Sequence, residues 1–249
     1  MRIYVKKIAK LSTIMIKEQI KEPVALIWTL LSPSLMFYFI LLSQDPNASS
    51  SGSRINYVAW TYYYYAYVAA SVAFFGFAFY LIGRRESGFL RSFAYQPAAR
   101  SILLISQLFA YSIIAAFYCI SFYLLTRPFF GTYDASEFLN ILMRFYIVFC
   151  MFCSGALILV QLPLTFQNAN TLFSILLFSM LAMLVAARLA PYETVRIANK
   201  FNPLTLANSI MSMDRASLIG TGALMILFLM FMIRIAARSM PVNPVWSRY

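Results

Sequence analysis

Residue types able to do chemistry are sparse in this chain. It has no histidine, three cysteines, and eight carboxylates against twenty basic side chains. Cys150 and Cys153 form a CxxC pair, a spacing that suits redox or zinc chemistry in a soluble protein. Zinc takes four ligands, and neither histidine nor a second cysteine pair completes the set. Glu18, Glu22, Asp45, Glu86, Asp134, Glu137, Glu193 and Asp214 are scattered, and none lies at the centre of an apolar run. A nucleophile beside a base is therefore missing, and with it the machinery of an intramembrane enzyme. A proton-coupled carrier would want ionisable groups at mid-membrane, which are also missing. No GxxxxGK[ST] loop occurs, so ATP cannot be held in the usual P-loop manner. The dense cluster is aromatic: residues 61–70 read TYYYYAYVAA, with five tyrosines at 62–67. Such phenols suit base stacking, a sugar-binding wall, a catalytic cluster or a belt at a membrane surface.

The elements that carry these residues narrow the choice. Hydrophobic residues make up 62% of the chain and charged ones 11%, far from soluble averages. Apolar runs at 24–43, 58–83, 101–126, 141–162, 171–190 and 217–235 are each long enough to span a bilayer as a helix. The first is too long for a signal-peptide core and is expected to stay. The net charge of +12 is dispersed around these runs, not gathered in a basic stripe with interleaved aromatics, so nucleic acid is not an expected partner. With both termini inside, Arg2, Lys6, Lys7, Lys10, Lys17, Lys21, Arg84, Arg85, Arg91, Arg100, Arg234, Arg238 and Arg248 fall on the cytoplasmic side, as the positive-inside bias requires. Cys119, Cys150 and Cys153 lie inside the spans and read as small packing residues.

Between the spans, residues 1–22 place Lys6, Lys10, Lys17 and Lys21 on one helical stripe with Val5, Ile8, Met15, Ile16 and Ile20 opposite, the pattern of an interfacial helix. A merely basic topology signal is the alternative. The outer loop QDPNASSSGSRIN is short and polar, and its NAS triplet is a glycosylation acceptor only in a secreted context. The second outer connector, with Arg127, Asp134 and Glu137, reads as a solvated linker. Residues 188–215 are mixed and too regular for disorder, and they are expected on the outer side, partly re-entrant. The inside connector RRESGFLRSFAYQPAAR places Phe89, Leu90, Phe93 and Ala94 at i, i+1, i+4 and i+5, so a short amphipathic helix is expected to end near Gln96, before Pro97.

That connector resembles the inside loop of permease subunits of type-2 ABC exporters, which reads arginine, glutamate, variable, glycine, variable, leucine and a later proline. Here these are Arg85, Glu86, Gly88, Leu90 and Pro97. KEPVALIWTLLSPSLMFYF, with Glu22, Pro23 and Pro33, is similar to the family's opening, and FNPLTLANSI places Asn202 and Pro203 ahead of the last span. The proline-rich segment usual after span five is represented only by Pro191, which leaves the outer hairpin less defined. The resemblance implies an all-α integral membrane fold with six transmembrane helices, the interfacial helix, and a cytoplasmic coupling helix at 84–98. Residues 1–249 would be one permease domain in a cell membrane, the bacterial inner membrane being the expected location.

It further implies two permease copies clamping cytosolic ABC ATPase subunits, with ATP and magnesium bound on the partner and no cofactor on this chain. Arg85, Glu86, Gly88, Phe89 and Leu90 would transmit the ATPase stroke, Glu86 by pairing with a basic ATPase residue or by capping the short helix. The implied cargo is an amphipathic drug, toxin, peptide or natural product. Polysaccharide or lipid-linked glycan export is the alternative, and a non-ABC carrier or purely structural role a more distant one.

For the tyrosines, the helix turn points Tyr62, Tyr63, Tyr64, Tyr65 and Tyr67 around most of the outer end, as an interfacial belt would require. Ala66, Ala69, Ala70, Ala73 and Gly76 share one face that permits close packing. If that face meets the partner copy, Tyr62 and Tyr65 would join Asn202 and Pro203 at an outer gate or substrate path, while Tyr63, Tyr64 and Tyr67 anchor in lipid.

Overall fold

A computed structural model describes residues 2–43, 57–189 and 192–245. The outer loop at 44–56 with its NAS triplet, and Pro191, lie outside the described residues. The helices are α1 (Arg2–Ile20), α2 (Pro23–Leu42), α3 (Tyr57–Glu86), α4 (Phe89–Phe93), α5 (Pro97–Thr126), α6 (Ala135–Val160), α7 (Phe166–Leu189), α8 (Glu193–Lys200), α9 (Pro203–Ser212) and α10 (Arg215–Ser239). A 3-10 turn, Arg127–Phe129, prolongs α5. No strand occurs among the described residues.

Helix starts follow local chemistry. Proline occupies the first turn of α2, α5 and α9, where its missing N–H costs nothing and its fixed φ suits the helix. Asp134, Asn202 and Asp214 cap α6, α9 and α10 by accepting backbone N–H groups of the first turn. Both aspartates are held below the usual carboxylate range, Asp134 chiefly by Ser136 and Asp214 chiefly by Ser217, each serine bonding through side chain and backbone.

Five helices, α3, α5, α6, α7 and α10, are long and apolar enough to cross a membrane. The shortest, α7, has 24 residues and is about 36 Å long, more than the ~30 Å hydrocarbon core. The sixth expected span is matched by α2, of which Leu31–Leu42 counts only as a shorter apolar helix among the described residues. α3 is the buried centre, packed by α6 and α9 and flanked by α2 and α5. By contrast α7 and α10 leave Ile175, Phe178, Leu224 and Leu227 open to the surroundings.

Within α3, Val72–Ala78 winds as a π-helix. There Gly76 lies against the Tyr111 ring so closely that a Cβ would come 2.4 Å from Cε1. Ala66, Ala69, Ala70 and Ala73 are fully buried, and the helix they belong to packs on α6, α9 and other helices of its own chain. The small-residue face therefore meets this chain's own helices, which occupy it in place of the partner copy that a gate role for Tyr62 and Tyr65 would require.

The first helix also differs from expectation. α1 packs along α5, turning Ile8, Leu11, Ser12, Met15 and Gln19 inward while Val5 and Ile20 stay exposed. Hydrophobic periodicity missed this register because two polar side chains make the contact. Ser12 donates to the Ser106 carbonyl at 2.9 Å and Gln19 Oε1 accepts from Tyr111 Oη at 2.6 Å. The lysines Lys6, Lys7, Lys10, Lys17 and Lys21 all face outward.

Candidate functional site

The chain places its chemistry-bearing side chains at the two ends of the bundle. At one end α3 finishes, α4 and the start of α5 follow, and α6 and α10 terminate. The expected coupling helix at 84–98 is shorter than its pattern: Arg84, Arg85 and Glu86 complete α3, and only Phe89–Phe93 is helical before Pro97 opens α5. Gly88 causes the break. Its φ of +77 lies in the left-handed region, which glycine enters without the steric cost a Cβ brings. Leu90 is buried, Phe89 stacks near Phe93 with ring centroids 5.0 Å apart, and Arg84 lies over the Phe89 ring at 5.8 Å. Phe93 and Tyr95 project outward, at 73% and 70% exposure.

Arg85 is 1% exposed, an unusual setting for a guanidinium. Its Nη1 donates to the carbonyls of Val160 (3.0 Å) and Leu162 (2.9 Å), and its Nη2 donates to Leu164. These oxygens lie at and just beyond the C-terminus of α6, where the last carbonyls lack helical partners and the helix dipole favours a cation. Arg100 repeats the device on α10, donating to Met240 O at 3.0 Å and Arg238 O at 3.4 Å, and also to Tyr95 O at 3.1 Å. Glu86 does not cap α4, whose N-cap Gly88 has no side-chain bond. Instead its Oε1 accepts from Arg85 Nε at 3.3 Å and from the backbone N–H of Val245 at 3.1 Å. Its side chain is 11% exposed.

Beside this network a cavity of about 500 Å³ opens between α1, the end of α3 and α7, lined by Met15, Phe79, Gly83, Arg84 and Phe166 among others. Arg84 crosses its mouth to Glu18 at 2.6 Å, and Tyr80 donates to Glu22.

At the other end the tyrosines are not a lipid belt. Tyr65 is fully buried and its hydroxyl meets that of Tyr57 at 2.9 Å, which in turn meets Thr126 Oγ1 at 2.9 Å. Tyr62 is buried under the Arg144 guanidinium, 6.0 Å from ring centroid to Cζ. Tyr64 is buried as well, edge-on to Phe37 and stacked on Phe122. The correction has a simple cause: α3 is surrounded by protein at this depth, so the rings are packed inside the chain and the hydroxyls of Tyr65 and Tyr67 meet those of Tyr57 and Ser32. The second connector is likewise no loose linker, because Arg127 pairs with Glu137 at 2.7 Å and Tyr123 donates to the Asp134 carbonyl at 3.0 Å.

Within the expected segment 188–215, α8 and α9 form a helical hairpin. Asn202, buried at its tip, donates from Nδ2 to Met180 O at 2.8 Å while its Oδ1 accepts from Leu204 N at 3.1 Å. Pro203 opens α9. Met180 lies nine residues before the end of α7, so the tip sits about 14 Å back along that helix. α9 then returns against α3 and α6, and Arg144 clamps its end by donating to the carbonyls of Met211 and Met213, the latter at 2.7 Å.

Between α2, α3, α7 and the hairpin lies a cavity of about 330 Å³ walled by Trp60, Tyr63, Tyr64 and Tyr67, with Leu184 and Arg188 on the α7 side. Arg188 lies over the Tyr63 ring at 5.1 Å. Tyr63 and Tyr67, expected in lipid, thus line this pocket with Tyr64, whereas Tyr62 and Tyr65, expected at the gate, belong to the core. Hydropathy could not flag Arg85, Arg100 and Arg144 as clamps, since their carbonyl partners are remote in sequence. The available signal was position alone, Arg85 and Arg100 adjoining apolar runs and Arg144 lying near the start of one.

The fold and its apolar helices define an all-helical protein of membrane type. Along its length the chain is similar to Protein McbE of Escherichia coli, 26% identical over 239 residues that make up 96% of this chain and 98% of that protein. No protein-family profile matches the chain, and no solved structure does.

Proposed function

We propose that the chain is the membrane-spanning permease of an ATP-driven exporter, working with a separate ATPase and a second permease copy, both termini cytoplasmic. The observation that carries this reading is the 84–100 connector. A left-handed glycine and a five-residue helix present Phe93 and Tyr95 beyond the bundle, on a base made rigid by Arg85 and Arg100. A short exposed knob on a rigid base suits the transmission of force from a cytosolic partner. α4 is then the coupling element, Gly88 and Leu90 set its angle, and Phe89 supports Phe93. The energy source is ATP and magnesium on the ATPase.

In this orientation the hairpin is a re-entrant outer element, and Asn202 and Pro203 fix its tip. The aromatic pocket beside it is the substrate path at the outer side. Its volume is near the lower end for small-molecule sites, and its walls combine rings, aliphatic side chains and the Arg188 cation. That chemistry suits an amphipathic compound or peptide without net positive charge. Glycan export is the second reading, favoured by Trp60 and the tyrosines as ring-stacking surfaces. The aliphatic remainder of the wall offers a sugar few hydrogen-bond partners.

Charge substitution at the exposed face tests the reading: Phe93→Asp should leave the chain folded in the membrane but abolish co-purification of the ATPase and export. Unchanged export by Phe93→Asp would overturn the assignment of α4.

A further inference from the structure

Glu86 is held by groups of its own chain, among them the Val245 N–H, 159 residues away in sequence. After α10 ends at Ser239 the chain does not leave the bundle. Met240 is buried and its carbonyl accepts from Arg100 at 3.0 Å, while Ser239 Oγ donates to Gln161 Oε1 at 2.8 Å. The sequence then runs Pro241, Val242, Asn243, Pro244, Val245, in which each proline fixes its own φ and turns the residue before it away from the helical region. Val242 packs on the core, Pro244 is buried, and Val245 N–H reaches Glu86 Oε1 at 3.1 Å. The segment is thus fastened at both ends, by Arg100 at Met240 and by Glu86 at Val245.

We infer that residues 240–245 form a strap tying the end of α10 to the α3–α4 junction, and that Glu86 is its positioning residue. Three observations carry this. Glu86 is the only acidic residue in 84–100, its oxygen accepts a charge-assisted bond from a backbone N–H, and Arg85 beside it aligns the carboxylate while anchoring the α6 terminus. A movement imposed on α4 therefore reaches α6 through Arg85 and α10 through Glu86 and the strap. The mechanical role rests on the permease reading, whereas the contact itself does not.

The test uses the full chain in detergent or nanodiscs, without any ATPase, and reads backbone hydrogen exchange at Val245 together with labelling of Asn243→Cys by a thiol reagent in a background lacking Cys119, Cys150 and Cys153. Glu86→Ala should accelerate Val245 exchange roughly tenfold or more, the loss of one hydrogen bond to a charged acceptor. Glu86→Gln keeps an acceptor oxygen and should recover most of the protection. Exchange within α6 and α10 should change little, which separates strap release from unfolding. Equal Val245 exchange in wild type and Glu86→Ala would overturn the strap. Export assays then judge the mechanical role separately: Glu86→Ala, but not Glu86→Gln, should leave ATP hydrolysis intact and reduce the cargo moved per ATP. If the strap loosens yet that ratio is unchanged, the contact stands and its role in coupling is refuted.

Discussion

Replacing Arg85 by methionine removes a buried cation while keeping an unbranched apolar stem. In the native chain this guanidinium serves the carbonyls of Val160, Leu162 and Leu164 and the Glu86 carboxylate. Arg85→Met leaves the Val160 carbonyl without the donor that Arg85 supplies and takes the guanidinium away from the Glu86 carboxylate. Removing one member of a buried charged network costs about 3–5 kcal/mol, a large share of the roughly 5–15 kcal/mol that stabilises a typical folded domain. Arg85→Lys keeps the charge but not the planar fork that reaches separate oxygens, so it should recover less than half of the loss. Thermal unfolding in one fixed detergent, followed by tryptophan fluorescence, should order the proteins as wild type, Arg85→Lys, Arg85→Met. An Arg85→Met midpoint equal to wild type would refute the claim that this arginine holds the end of α6.

Gly88→Ala should destabilise by roughly 1–2 kcal/mol through backbone strain alone, because no atom lies within 4 Å of the new Cβ. Gly88→Asn should be milder, and the reverse order in unfolding measurements would point to side-chain crowding. At the other end, Tyr67→Ala should alter substrate-stimulated ATP hydrolysis at little cost in stability, whereas Tyr62→Ala should lower the unfolding midpoint; matching effects on hydrolysis would remove the pocket from the substrate path. The depressed carboxyls of Asp134 and Asp214 give stability that is present above their unfolded-state values and is lost as pH falls through the lower folded-state values. Asp214→Asn keeps the cap without the charge, so its unfolding midpoint should fall less than wild type on acidification below pH 4.

Five apolar helices were legible because bilayer-spanning length is a local signal. The side of α3 that its tyrosines face was not. Apolar composition is the same for a residue in lipid and for one buried between helices, so nothing in TYYYYAYVAA separates the expected belt from the core position that Tyr62 and Tyr65 take. Tyr65 declares itself only through Tyr57 and Thr126, the latter on another helix. The connector was legible in place but not in extent, since the amphipathic pattern ran to Gln96 while the left-handed Gly88 and the extended residues after Phe93 confine the helix to one turn and a half. Glu86 was recognised, yet its partner belongs to a tail that no periodicity connects to it.

Dependence on a second chain for energy is the central claim, and reconstitution tests it most directly. Export into or out of proteoliposomes should be measured for the purified chain alone and for the complex recovered with its ATPase from native membranes. The account predicts no ATP hydrolysis and no active transport by the chain alone, and both activities in the complex. Full active transport by this chain without an ATPase would contradict it.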